Sequence, residues 1–251
     1  NGQPHSTEAP LMNHATRFTI AVLATLVLGL GASGSATAAP AWLQTAKGEQ
    51  QLAFLRHATE AYTRPSRASR GIQHVTRTRP ITGERTVLPV IARAKVKGTV
   101  WLRVLLPGRP NSHAGWITAR EATPGITYWR ITVHTSRREV IVQFDGRMRR
   151  TFAAVVGKSS TPTPQGRFFV EESVALYPQQ VGAPYALALS ARSNVLQEFD
   201  GGPGQIALHG TDNVGGVPGT AASHGCIRLT TSDITWLANR IPPGTRVTIT
   251  G

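Results

Sequence analysis

Ile206-Ala207-Leu208-His209-Gly210 is followed, 17 positions after its histidine, by Cys226 in Ser223-His224-Gly225-Cys226-Ile227-Arg228-Leu229. The apolar residues ahead of His209 are those of a buried strand that ends at the histidine. Asp212 to Thr220, with three glycines and one proline, is a flexible excursion able to return Cys226 to it. Cys226 is the one cysteine of the chain, so it has no disulfide partner within it and cannot build a four-cysteine zinc site. A thiol becomes a nucleophile only with a base or an electropositive site beside it, and histidine is the side chain best matched in pKa. Gly225 lets backbone approach a substrate without a side chain in the way. Three readings of the spacing stay open: a thiol nucleophile with His209 as base, a buried apolar cysteine beside a core histidine, and a His-His-Cys metal site completed by Asp212.

Outward from these stretches, the second half is strand-rich. Arg130–Val133 and Glu139–Phe144 alternate, and Asp145-Gly146 is a hairpin turn leading into residues 149–156. Ser159 to Gly166, SSTPTPQG, interrupts regular structure, and Arg167–Glu171 resumes it. Thr230–Arg240 reads as the helix of this half, with Asp233 near its start and Ile234, Leu237 and Ala238 on one face.

Ahead of it, Thr86–Ile91, Thr99–Leu106 and Gly115-Trp116-Ile117 are short strand-like runs separated by turn chemistry such as Pro107-Gly108-Arg109-Pro110-Asn111. Trp42–Tyr62 has Leu52, Leu55 and the Phe54/Ala58 pair at helical spacings and predicts a helix. Arg64–Gly71, RPSRASRG, is expected to be an exposed, mobile linker.

Residues 12–39 have a basic start at Arg17, an apolar run from Phe18 to Ala32 and the small-residue site Ala36-Thr37-Ala38, the layout of a secretory signal peptide cleaved after Ala38 or Ala39. The eleven residues before Met12 are expected to be upstream sequence. The chain of 251 residues carries 27 Lys and Arg against 13 Asp and Glu, a formal charge of +14. The excess is uneven, with 15 basic against 5 acidic residues in 1–125. Such a field attracts nucleic acid, anionic lipid or anionic wall polymers, and export argues against nucleic acid.

The His-Gly and Ser-His-Gly-Cys-x-Arg elements, together with Val156-Gly157-Lys158, Thr161-Pro162-Thr163-Pro164-x-Gly166-Arg167-Phe168 and Pro243-Gly244-Thr245-x-Val247, resemble the catalytic domain of YkuD-type L,D-transpeptidases. Residues 71–124 resemble bacterial SH3-like domains, through Gly115-Trp116-Ile117. The resemblances imply a mainly β protein, a small SH3-like barrel followed by a β-rich L,D-transpeptidase domain with one or two short helices. Its implied parts are an extension (1–11), a signal peptide (12–39), a helix and basic linker (40–70), the SH3-like domain (71–124) and the catalytic domain (125–251).

The signal-peptide layout implies export to the periplasm or cell wall, and the same resemblance implies an enzyme. It cross-links peptidoglycan stem peptides by cysteine thioester acyl transfer, without cofactor or metal. Cys226 is then the nucleophile, His209 the general base and His224 a supporting histidine, with Gly225 and Cys226 providing oxyanion-hole amides. Arg228, Ser223, Gly210 and Tyr185 are the candidate substrate-binding residues. Arg228 suits a stem-peptide carboxylate, or is pinned to backbone carbonyls; Ser223 orients a histidine or makes a turn bond; Tyr185 lines a cleft or packs in a β core. An L,D-carboxypeptidase, a protein-to-peptidoglycan ligase and a catalytically inactive wall-binding protein stay open as alternatives, and the basic first half is read as a contact for anionic wall polymers.

Overall fold

In the computed structural model, which describes residues 48–198 and 201–251, β-structure begins earlier than the sequence suggests. The expected signal peptide and the extension before it lie outside the described residues. Seven strands form a first sheet: β1 (Gln50–Leu55), β2 (Thr59–Tyr62), β3 (Gly71–Val75), β4 (Val87–Val96), β5 (Thr99–Leu105), β6 (Ala114–Thr118) and β7 (Ala122–Thr127), in spatial order β3-β2-β6-β5-β4-β1-β7. The helix expected over 42–62 is therefore corrected for residues 50–62, which form β1 and β2. Gln50 to Ala53 and Leu55 are all buried, so β1 has both faces covered and shows no alternation to betray it. The supposed linker 64–71 is the loop between β2 and β3. It is closed by Thr63 N–H to Arg70 O at 3.0 Å and Ser69 N–H to Ser66 O at 3.1 Å, and held outside by Arg67 on Glu121.

On β6, Ile117 is fully buried in the first core with Leu55, Leu88, Leu102 and Val104, and its neighbour Trp116 lies on the other face.

The second sheet has eight strands, with two more in a small separate pair. In chain order they are β8 (Trp129–His134), β9 (Glu139–Phe144), β10 (Arg147–Ala153), β11 (Val156–Gly157), β12 (Gly166–Ala175), β13 (Tyr185–Arg192), β14 (Gln205–Gly210), β15 (Ala221–Ser223), β16 (Ile227–Leu229) and β17 (Arg246–Thr250), with α1 (Thr231–Ala238) before β17. The sheet runs β10-β9-β8-β17-β12-β13-β14-β16, and β11 pairs with β15 in parallel. The β9–β10 turn is the expected hairpin, Asp145 and Gly146 taking φ of 52° and 70°, both left-handed as a two-residue hairpin turn requires. α1 starts where the sequence places it: Thr230 Oγ1 accepts from Asp233 N–H at 3.2 Å and donates to the Asp233 carboxylate at 2.6 Å. Its Ile234 and Leu237 bury against Leu187, Leu189, Leu208, Ile227 and Leu229.

β12 joins the two sheets. Successive strand residues point to opposite faces, so Phe168 enters the second core while Phe169 enters the first. Each phenylalanine is fully buried, worth about 1.5 to 3 kcal/mol apiece relative to exposure. Among the described residues no helix is long and apolar enough to cross a membrane.

Candidate active site

β14 and β16 pair in parallel with Leu208 opposite Ile227, His209 opposite Arg228 and Gly210 opposite Leu229. Ile206, Leu208, Ile227 and Leu229 take the core side, and alternation sends His209 and Arg228 to the other face. Cys226 immediately precedes β16, one position before the Leu208–Ile227 pair, and its Sγ lies 4.0 Å from Gln205 O on the neighbouring histidine strand. Parallel strands need a crossover, and residues 211–226 supply it. The expected flexible excursion is anchored: Asn213 Nδ2–H donates to Pro178 O at 2.6 Å and Gln180 O at 3.0 Å, Thr231 Oγ1–H to Asp212 Oδ1 at 2.7 Å, and β15 lies on β11.

The turn ahead of the cysteine is held by hydroxyls. Ser223 is fully buried; its Oγ–H donates to Cys226 O at 2.6 Å and its Oγ accepts from Gly225 N–H at 3.1 Å. From the SSTPTPQG stretch, Thr161 Oγ1–H donates to Ser223 O at 3.2 Å and Thr163 Oγ1–H to Gly225 O at 2.8 Å, while Thr163 Oγ1 accepts from Gly157 N–H at 2.9 Å. Gly225 sits at φ 123°, where a Cβ would also crowd Ile206 Cδ1 at 3.0 Å, so glycine is required there. Its amide is engaged by Ser223, which corrects the expectation that it stands ready for an oxyanion. Ser223 is thereby a turn residue.

His209 is set by its carbonyl neighbour. Nδ1 lies 2.8 Å from Gly210 O, an acceptor only, so Nδ1 carries the proton and Nε2 keeps a free lone pair. Burial drives its pKa down to about 4, against the upward pull of the Gly210 bond and with a smaller downward push from Arg228. The imidazole is neutral at pH 7. Cys226 is half-buried, and desolvation raises its thiol pKa although backbone hydrogen bonding from Ala207 and the Arg228 charge oppose it. At pH 7 both groups are thus in their neutral forms, a thiol and an imidazole. Gly182, which no reading of the sequence singled out, backs the ring: at φ +85° its hypothetical Cβ would stand 2.4 Å from His209 Nδ1.

The remaining candidates separate. Gly210 N–H donates to Gly182 O at 2.8 Å, and a Cβ there would overlap Ala183 O, so Gly210 positions His209 instead of lining a substrate site. Arg228 Nη1 donates to Val214 O at 3.3 Å and Gly215 O at 3.2 Å, the pinned arrangement; the side chain shapes the crossover and projects its charge onto the sulfur. Tyr185 packs on the core cluster with Leu187 and Leu189, on the face opposite His209, which corrects the cleft reading. His224 is exposed on the turn. Among the described residues no three His, Cys, Asp or Glu side chains gather as metal ligands, so the metal reading lacks its ligand set.

Residues 128–249 match the YkuD family, the L,D-transpeptidase catalytic domain. A Bacillus licheniformis protein named as an L,D-transpeptidase, YkuD, is 32% identical over 155 residues, which cover 59% of this chain and 86% of that protein. Its Bacillus subtilis namesake is 32% identical over 152 residues, 58% and 84% of the two chains. Among solved structures, an L,D-transpeptidase from Mycobacterium smegmatis is 17% identical, covering 65% of this chain and 99% of its own, with a TM-score of 0.39. The second sheet, with its cysteine and histidine strands, is thus an acyltransferase domain. The chain belongs to the YkuD family of L,D-transpeptidases.

Proposed function

We propose that this enzyme is exported and cross-links peptidoglycan stem peptides through a thioester on Cys226. The observation that carries the reading is that β16, which Cys226 immediately precedes, runs in parallel beside the strand of His209, whose Nδ1 lies on Gly210 O and leaves Nε2 unprotonated. Cys226 Sγ attacks the carbonyl after the third residue of a donor stem as His209 takes the thiol proton. The carbon–nitrogen bond then breaks, the proton passes to the departing D-alanine amine, and a thioester remains. His209 next accepts a proton from an acceptor amine as it attacks the thioester, which restores the thiol and forms the cross-link. With the Gly225 amide engaged, the oxyanion falls to the Cys226 amide. His224, exposed on the turn, meets the acceptor side in this reading.

Residues 12–39 are read as the export signal, which sends the enzyme to the periplasm or wall. The first sheet, whose short antiparallel strands enclose one core, is read as an SH3-like module whose basic surface meets anionic wall polymers. Intact-mass analysis after incubation with purified muropeptides tests the central claim. The wild type gains one acyl group short of the terminal residue and releases cross-linked dimers, and Cys226→Ala gains nothing. An acyl adduct on Cys226→Ala overturns the assignment.

A further inference from the structure

Away from the cysteine, β17 and β8 run in parallel with Arg246 directly opposite Arg130, and the neighbouring β12 places Arg167 opposite Thr248. Alternation turns all three arginines to the face away from the second core, toward the first sheet. They line a cavity of about 330 Å³ together with Gln143, Thr132 and Thr248, roofed in part by Ile91 of β4. No residue lining it is acidic, and Glu49 borders the adjoining hollow, which Arg246 also lines. Arg246 donates through Nη2 to Val90 O, while its Nε is buried with no hydrogen-bond partner.

Like charges opposite one another on adjacent strands repel, and a buried donor without a partner carries a desolvation cost. Both are relieved by one anion that the guanidinium forks can grip. The charges also act on one another: burial and the neighbouring Arg130 and Arg167 lower the Arg246 pKa. Gln143 and two threonine hydroxyls add donors of the kind that hold the oxygens of a tetrahedral oxyanion. β12 and β13 lie between β17 and the His209 strand, so this hollow is separate from the cysteine site.

We propose that the cavity lined by Arg130, Arg167 and Arg246 is a binding site for a phosphate-class oxyanion, free or carried on a phosphodiester polymer. Calorimetric titration of the full chain with inorganic phosphate at low ionic strength tests it, with chloride at matched ionic strength as reference. Saturable one-to-one binding is expected, weakened at least ten-fold in Arg130→Gln/Arg167→Gln and unchanged in Arg64→Gln/Arg147→Gln, which removes two exposed charges elsewhere. Absence of saturable heat in the wild type overturns the proposal without reference to any variant. So does an equal response to chloride, or equal weakening in the two double variants. Retention of the chain on immobilised poly(glycerol phosphate), and its release by inorganic phosphate, assigns the site to the polymer; phosphate binding without retention assigns it to the free ion.

Discussion

His209 owes its chemistry to one carbonyl and to burial. The Gly210 bond fixes which nitrogen is free, and desolvation keeps the ring neutral. Its pKa is lowered from 6.5 to about 4, so the unfolded chain binds this proton more readily than the folded one. The contribution to stability is therefore complete above pH 6.5 and is lost as pH falls toward about 4, amounting at most to about 3 kcal/mol. Urea unfolding of wild type and His209→Gln across pH 7.5 to 4 checks this: the wild type should weaken more steeply below pH 6.5, and parallel curves would remove the buried neutral histidine. The same pKa, with the thiol raised, shapes the rate. Acylation should show no inflection near pH 6.5 and should climb through the alkaline range as the thiol ionises. A rate that halves at pH 6.5 would mean that His209 titrates as an ordinary surface histidine.

Around that ring the elements act through backbone. Gly182 carries no side chain, yet a methyl group there would meet His209 Nδ1 at 2.4 Å. Gly182→Ala should keep its strand content by circular dichroism and lose acylation by about two to four orders of magnitude, the scale of a displaced general base; wild-type acylation would show that the ring position is not constrained there. Thr163→Val leaves Gly157 N–H and Gly225 O without their buried partner. At about 1 to 3 kcal/mol for each unsatisfied group, it should lower the melting temperature by several degrees, and an unchanged melting temperature would mean that water replaces the hydroxyl. These contacts explain what was legible beforehand. The Cys226 and His209 elements, the Asp145-Gly146 hairpin and the helix starting at Thr230 are local patterns, readable from neighbours in the chain. Gly182 meets His209 only because β13 pairs with β14, and Thr163 reaches Gly225 across 62 positions, so neither partner is written nearby. β1 departs from the expected helix for a related reason: Gln50 is buried as fully as Leu52, since its amide bonds Trp129 O and Arg246 N–H on the other sheet.

Taken whole, the molecule places its most buried charges between the two sheets. Glu171, on a β-bulge of β12 and fully buried, pairs with Arg79 of the first sheet's β3–β4 loop and with Arg192 of β13 at 3.1 Å. Glu172 accepts from Thr82 N–H at 2.9 Å and Thr82 Oγ1–H at 3.0 Å in the same loop. Phe169 and Gly244 complete the join by packing on the first sheet, Gly244 so closely that a Cβ would meet Val87 at 2.7 Å. The catalytic sheet therefore has a buried acidic and aromatic seam that the first sheet covers, and the first sheet is part of the enzyme's body, not a tethered accessory. Removing one partner of a buried ion pair strands the other, at about 3 to 5 kcal/mol. An exposed pair such as Arg67–Glu121, at 2.7 Å, is worth well under about 1 kcal/mol after solvent screening. Arg79→Met should thus destabilise the whole chain by several kcal/mol in urea, in a single transition, while Arg67→Met leaves the midpoint nearly unchanged. Replacing Glu171 by Leu in the Arg79→Met background should restore part of the loss, because Arg192 keeps its bonds to Leu189 O and Ala191 O. Equal midpoints for Arg79→Met and Arg67→Met, or two separated transitions in the wild type, would show that the sheets fold independently and that the seam contributes nothing to their union.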